Sequence, residues 1–252
     1  MHLICLHGFI GSGSDYSIVA DHLKQRRPLI APDFPDYRST PPNSRITWAS
    51  TLADLDSLIE ETTQGRPCVL VGYSMGGRIA LQYAIQHQSR LKGLVLIGAT
   101  PGIEDAALKA ERLKQDSELA EKLTDQTIDD FLSYWLNQPI LKSQEAIPEP
   151  YRSRMLEKRH RLSTKSLSTY LQTLGTGTMP SIWHRLKQLT IPTLLVSGEK
   201  DFKFANIGHR MASQIPGCDH AIIKNSGHSA CFEQPTAFTK QLEAFVKTLE
   251  AS

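Results

Sequence analysis

Cysteine is scarce and unpaired in pattern: Cys5, Cys68, Cys218 and Cys231 form no C-x-x-C. That pattern, with two of the four inside apolar strand patterns, suits reduced packing residues better than disulfides or a metal site. Long apolar runs are also missing. No stretch approaches the roughly 18 residues of a spanning helix, and no leader of charged region, apolar region and cleavage site is evident. Excess charge of one sign is absent as well, because 28 Lys and Arg stand against 26 Asp and Glu, a formal net charge of +2. Such a balance creates no global field for nucleic acid or an anionic bilayer, so any use of positive charge must be local. The expectation is a soluble, cytoplasmic monomer with no nucleic-acid partner and no membrane insertion. What the chain does have is 40% hydrophobic residues over 252 positions, enough for one substantial core with an excursion.

Strand and helix patterns alternate through the first hundred residues, the mark of βαβ units and a parallel sheet. The apolar run His2 to Leu6 predicts a first strand. Ser14 to Arg26 carries Ile18, Val19, Ala20 and Leu23 on one helical face, and Leu29 to Ala31 gives a second strand. Pro32 to Asn43, rich in proline and polar residues, reads as a surface loop. Thr47 to Thr63 is helical by its spacing of Leu52, Leu55, Leu58 and Ile59, and strands follow at Cys68 to Tyr73 and Gly93 to Gly98. From Pro101 to Gln188 the alternation stops. Helical spacing over 106–114, 127–136, 151–161 and 165–174, without a convincing strand, predicts a helical lid. Strands near 191 and 219, with helices over about 204–215 and 234–249, restore the core pattern. The division expected is core 1–100, lid 101–188 and core 189–252.

Chemistry concentrates at Gly72-Tyr73-Ser74-Met75-Gly76-Gly77-Arg78. G-x-S-x-G places a serine on a strained turn between a buried strand and a helix, with glycine where side chains would collide. Ser74 Oγ then lies at a helix N-terminus, where partial positive charge favours a developing anion. Such an elbow needs its acid and then its histidine further along the chain. Asp201 stands just beyond the strand pattern Ile191 to Gly198, and His228 follows the shorter strand pattern 220–224. One oxyanion donor is the N–H after the nucleophile, Met75, and the other comes from the loop after an early strand, where His7-Gly8-Phe9 makes Phe9 the candidate. With no room for two strands before that loop, the pattern predicts an α/β-hydrolase fold of six parallel strands rather than eight.

Arg78 lies one helical turn after Ser74, where a cation opposes the helix dipole and asks for an anion. Arg112 and Arg159, on charge pattern alone, read as solvated helix-face residues. The chain resembles the MenH family of 2-succinyl-6-hydroxy-2,4-cyclohexadiene-1-carboxylate synthases over nearly its whole length. The likeness is carried by the elbow from Gly72 to Arg78, Pro101-Gly102, Ala110-Glu111-Arg112, Trp135-Leu136-Asn137-Gln138-Pro139, Gly198-Glu199-Lys200-Asp201-Phe202-Lys203-Phe204 and Gly227-His228. Matching motifs place the family's triad on Ser74, Asp201 and His228, and its substrate contacts on Tyr73, Arg78, Arg112, Trp135, Arg159 and Lys203. One departure is Asp33-Phe34-Pro35-Asp36-Tyr37, which lacks the glycines common in this loop of related hydrolases.

The resemblance implies a lyase on a hydrolase fold, in menaquinone or phylloquinone biosynthesis, that eliminates pyruvate from 2-succinyl-5-enolpyruvyl-6-hydroxy-3-cyclohexene-1-carboxylate. It implies no metal and no organic cofactor. The small-molecule substrate carries three carboxylates, a task for guanidinium groups that a neutral ester would not provide. Two alternatives use the same features differently. A carboxylesterase, thioesterase or carbon-carbon bond hydrolase would run the triad through an acyl-enzyme, and a hydrolase-fold binding protein would retain it without turnover.

Overall fold

The computed structural model describes residues 1–35, 37 and 46–251. Its strands are β1 (Leu3–Leu6), β2 (Leu29–Ile30), β3 (Cys68–Tyr73), β4 (Leu91–Ile97), β5 (Thr193–Gly198) and β6 (Cys218–Ile223). They form one six-stranded sheet in the order β2-β1-β3-β4-β5-β6, and every pairing is parallel. Helices α1 (Ser17–His22), α2 (Trp48–Thr63) and α3 (Met75–Gln86) follow β1, β2 and β3. Between β4 and β5 come α4 (Ala106–Asp125), α5 (Ile128–Trp135), α6 (Tyr151–Arg159) and α7 (Thr164–Leu174). No strand interrupts them among the described residues. The chain returns to the sheet with α8 (Phe202–Ala212), α9 (Ala230–Glu233) and α10 (Pro235–Ala251).

The central strands β1, β3, β4 and β5 are covered on both faces, which is why their sequences are mostly apolar rather than alternating with polar residues, whereas the edge strands β2 and β6 are only partly buried. The two-residue period still decides which face each side chain joins. Ile4, Leu6, Leu70, Leu94, Leu96 and Leu195 enter the cluster containing α2 and α3 residues such as Leu55, Ile59, Ile79 and Tyr83. Leu3, Cys5, Val69, Val71, Val95, Ile97 and Val196 enter the other, with Val19 of α1 and Phe238, Leu242 and Val246 of α10. Removing one such leucine costs about 2–5 kcal/mol through lost transfer energy and a residual cavity.

Several boundaries differ from the sequence reading for physical reasons. The first helix, expected over 14–26, is a 3-10 turn at Gly13–Tyr16 followed by α1, which ends at His22. It stops because the N–H groups of Lys24 and Gln25 donate to the Glu243 carboxylate of α10, at 2.7 and 3.0 Å, instead of continuing the helical ladder. The helix expected over 106–114 runs on to Asp125, since the charged second half still buries Ala120 and Leu123. The loop expected over 32–43 is not all surface: Phe34 and Tyr37 are buried and pack edge-on against His7. Asp36 and 38–45 lie outside the described residues. No helix among the described residues is long and apolar enough to cross a membrane.

Candidate active site

At the end of β3 the chain turns so sharply that Ser74 adopts φ 52° and ψ −109° before α3 begins. That is a backbone region an L-residue occupies only when its surroundings enforce it. The enforcing contacts are Ser74 N–H to Ile97 O at 2.8 Å and Gly76 N–H to His7 O at 3.1 Å. Gly76 must be glycine because a Cβ would stand 2.3 Å from Leu6 O, and one at Gly72 would stand 2.5 Å from Gly76 O.

Asp201 and His228 arrive from β5 and β6. Asp201 is the N-cap of α8, with Oδ1 accepting the Phe204 N–H at 3.3 Å. Its Oδ2 accepts from His228 Nδ1 at 2.7 Å, and His228 Nε2 lies 3.0 Å from Ser74 Oγ. With the acid holding the Nδ1 proton, Nε2 is the acceptor for the serine hydroxyl. Asp201 and His228 are buried, and Phe204 and Tyr73 pack beside the imidazole at ring-centroid distances of 4.5 and 5.5 Å. The trio read from the sequence is therefore a continuous hydrogen-bonded chain.

The early loop is held by His7, which is fully buried. Its Nε2 accepts the Phe34 N–H at 3.2 Å, so Nδ1 carries the proton and donates to Gly8 O at 2.8 Å. The Ile10 N–H donates to Tyr37 Oη at 2.9 Å, and Gly11 N–H to Gly8 O at 3.0 Å. Phe9 is fixed within this turn, and both Phe9 and Met75 line the cavity above Ser74. Over Phe9 lie Trp135 and Phe131 of α5, with Trp135 5.4 Å from Phe9 and stacked on Phe131 at 5.6 Å.

The cavity of about 750 Å³ opens between the carboxyl ends of the strands and the helical insertion. Ser74, His228, Tyr73, Arg78, Arg112, Trp135, Arg159 and Lys203 all line it, whereas Asp201 lies behind the histidine. Its cationic lining, completed by Arg210, faces Asp15, Glu104 and Asp105 as the acidic lining among the described residues. Arg78 is buried and donates to the Leu174 carbonyl at 2.7 Å. Among the described residues no carboxylate forms an ion pair with it. Burial brings its guanidinium pKa down to about 10, Arg112 pushes the same way and Asp116 resists, so it remains a cation at neutral pH.

Arg112 is spoken for differently, donating from Nε to Asp116 Oδ1 at 2.7 Å. Asp116 in turn accepts the Gly177 N–H at 2.9 Å. Arg159 corrects the charge-pattern reading, because it is 7% exposed rather than solvated. Burial lowers its pKa against the pull of Asp15 and Tyr73, and its Nε has no hydrogen-bond partner among the described residues. Tyr73 Oη meets Ser229 Oγ at 2.5 Å. Sequence reasoning missed Gly98, Asp15, Asp116 and Gln144. Gly98 carried a detectable signal, since it ends a strand opposite the elbow; the others are ordinary polar residues until the fold assembles them.

This geometry has close relatives. A Bacillus subtilis (strain 168) protein provisionally assigned as a 2-succinyl-6-hydroxy-2,4-cyclohexadiene-1-carboxylate synthase is 32% identical over 98% of this chain and 90% of its own. The Serratia proteamaculans (strain 568) protein given that name without qualification is 28% identical over 97% of this chain and 92% of its own. The structure of MenH from S. aureus superposes with a TM-score of 0.92 at 30% identity, covering 99% of this chain and 94% of that one. Residues 1–235 match the alpha/beta hydrolase fold family, and within that fold the chain belongs to the MenH family.

Proposed function

We propose that this protein is a 2-succinyl-6-hydroxy-2,4-cyclohexadiene-1-carboxylate synthase, eliminating pyruvate from 2-succinyl-5-enolpyruvyl-6-hydroxy-3-cyclohexene-1-carboxylate. The observation that carries this reading is a hydrogen-bonded Ser74-His228-Asp201 chain opening into a cavity where the buried cation Arg78 has, among the described residues, a neutral carbonyl and no carboxylate as hydrogen-bond partner. A buried guanidinium without a counter-ion is costly, and a substrate carboxylate relieves that cost by bidentate charge-assisted hydrogen bonds. The substrate brings three carboxylates to Arg78, Arg112, Arg159 and Lys203. We assign Tyr73 and Trp135 to its uncharged surface.

In the mechanism we favour, Ser74 Oγ, its proton accepted by His228, removes the ring proton next to the succinyl ketone. Electron density moves onto the ketone oxygen, held by the Phe9 and Met75 N–H groups, and the ring double bond shifts as this enolate collapses. The ring carbon-oxygen bond to the enolpyruvyl group breaks. Its electrons leave on pyruvate enolate, which takes up a proton to become pyruvate. The residues 101–188 serve as a lid, whose Trp135 and Phe131 exclude water from the enolate. We assign the scheme to a cytoplasmic monomer acting on this small-molecule substrate.

The same triad geometry also fits acyl transfer to Ser74, the route of an ester hydrolase. The deciding experiment supplies the enolpyruvyl substrate from the preceding enzymes and follows loss of its absorbance with release of pyruvate. Stoichiometric pyruvate supports the synthase. Hydrolysis of a broad ester panel without pyruvate release overturns it.

A further inference from the structure

Glu233 is 2% exposed and has no part in the scheme above. Its Oε2 accepts the Gly227 N–H at 2.6 Å, and its Oε1 accepts the Ser229 N–H at 3.1 Å and the Ser143 hydroxyl at 2.9 Å. The two backbone donors are the immediate neighbours of His228. The third donor comes from the insertion, from the 3-10 turn Lys142–Ala146. The next residue of that turn, Gln144, donates to Ser229 Oγ at 2.8 Å, the same oxygen that meets Tyr73 Oη. The approach is close enough that a Cβ on Gly227 would stand 2.1 Å from Ser143 Oγ.

A buried carboxylate is expensive unless its lone pairs are filled. Among the described residues no cation pairs with Glu233, so three neutral donors do the filling. Two of them fix the backbone on either side of His228. The imidazole is oriented by Asp201, but the position of its Cα depends on the Gly227–Ser229 loop. The contact from Nε2 to Ser74 Oγ is 3.0 Å, a length at which small displacements of the ring forfeit proton transfer. Glutamine cannot replace the carboxylate, because its NH2 group would face one of the N–H donors.

We infer that Glu233 is a positioning residue for His228: it clasps both flanks of the histidine and, through Ser143, couples that grip to the seating of the insertion. The role rests on reading His228 as the base in pyruvate elimination.

The test compares Glu233→Gln, Ser143→Ala and the double variant. In the free enzyme, the low-field proton resonance of His228 Nδ1–H, assigned by its loss in His228→Ala, reports the hydrogen bond to Asp201. The expected result for Glu233→Gln is a shifted or broadened resonance and a kcat lowered about 10- to 100-fold with KM within about threefold. Ser143→Ala should lower kcat about three- to tenfold, with no further loss in the double variant. An unchanged resonance in Glu233→Gln overturns the positioning role, and additive losses overturn the coupling to the insertion. If Glu233→Gln does not fold, an unchanged resonance and kcat in Ser143→Ala overturn the inference by themselves. Because the resonance needs no substrate, this failure is distinct from an absence of pyruvate release, which would overturn the functional reading instead.

Discussion

Gly98 and His228 are in contact through the space a side chain would fill: a Cβ on Gly98 would lie 2.8 Å from His228 Cε1 and 2.9 Å from Nδ1. Gly98 also has φ +56°, a conformation costly for any other residue. Gly98→Ala is therefore expected to push the imidazole off Ser74, lowering kcat about 100-fold, with a stability loss of about 1 kcal/mol. Steady-state kinetics beside a denaturant titration separates the two effects. A kcat within twofold of wild type would show that the ring has another place to go.

Ser74→Ala, Asp201→Asn and His228→Ala should each lower turnover by about 10³-fold or more while the fold survives, and the double variants should lose little beyond the worst single one. Pyruvate release by the six proteins measures this. Near-wild-type turnover in Asp201→Asn would displace Asp201 from its assigned role.

Ser74 is expected to act as a base without acquiring a covalent adduct, since removing a proton and holding an enolate complete the elimination. Intact mass of enzyme quenched during turnover checks this. An acyl mass on Ser74 forming and decaying fast enough to carry the flux contradicts it.

Replacing Arg78 should have opposite effects on function and stability. Arg78→Met is expected to cost about 2–5 kcal/mol in kcat/KM for the tricarboxylate substrate, while small neutral esters change little. In the absence of substrate the same change should raise stability by about 1–2 kcal/mol, because it removes a desolvated charge that has no ionic partner among the described residues. Urea melts and kinetics on both substrate types decide it. A variant destabilised in urea and impaired equally on both substrates would make Arg78 a support of the elbow.

His220 gives a pH dependence of stability. Burial, with His209 beside it, lowers its pKa from 6.5 to about 4, while its Nε2 meets Ser197 Oγ at 3.0 Å. Between these values the unfolded chain binds a proton that the native state refuses. Stability linked to this group is thus fully present above pH 6.5 and is lost as pH falls towards 4. After a discount for partial exposure, the loss is about 1–2 kcal/mol. Chemical denaturation of wild type and His220→Gln across that range should show a shallower fall in the variant; parallel curves would refute the assignment.

Much of this was legible in the sequence because the signals are local. Continuous apolar runs give the parallel strands, and glycines around Ser74 give the elbow because its turn tolerates no Cβ. The order of Ser74, Asp201 and His228 gives the triad. What could not be read depends on distant partners. Arg159 sits in a strongly charged stretch, and only the fold buries it beside Asp15 and Tyr73. Helix α4 extends to Asp125 with Ala120 and Leu123 buried and Ser168 of α7 donating to Ala120 O, a contact invisible in the charged residues 115–125. Helix α1 stops early on account of Glu243, more than two hundred positions away.

The division of labour along the chain sets how this enzyme can diverge. Ser74, Asp201 and His228 all stand on loops of the sheet, whereas Arg112, Trp135 and Arg159 belong to a segment inserted between two adjacent strands, β4 and β5. A foreign insertion spliced between Gly98 and Thr193 would exchange part of the cavity lining to which we assign recognition and leave Ser74, Asp201 and His228 in place. Arg78 and Lys203 would stay behind in the cavity, and with them the preference for anions that we propose. Such a chimera would also have to present a hydroxyl where Ser143 now meets Glu233 and an amide where Gln144 now meets Ser229, so a graft is expected to keep its catalytic rate only if it restores this seam beside His228.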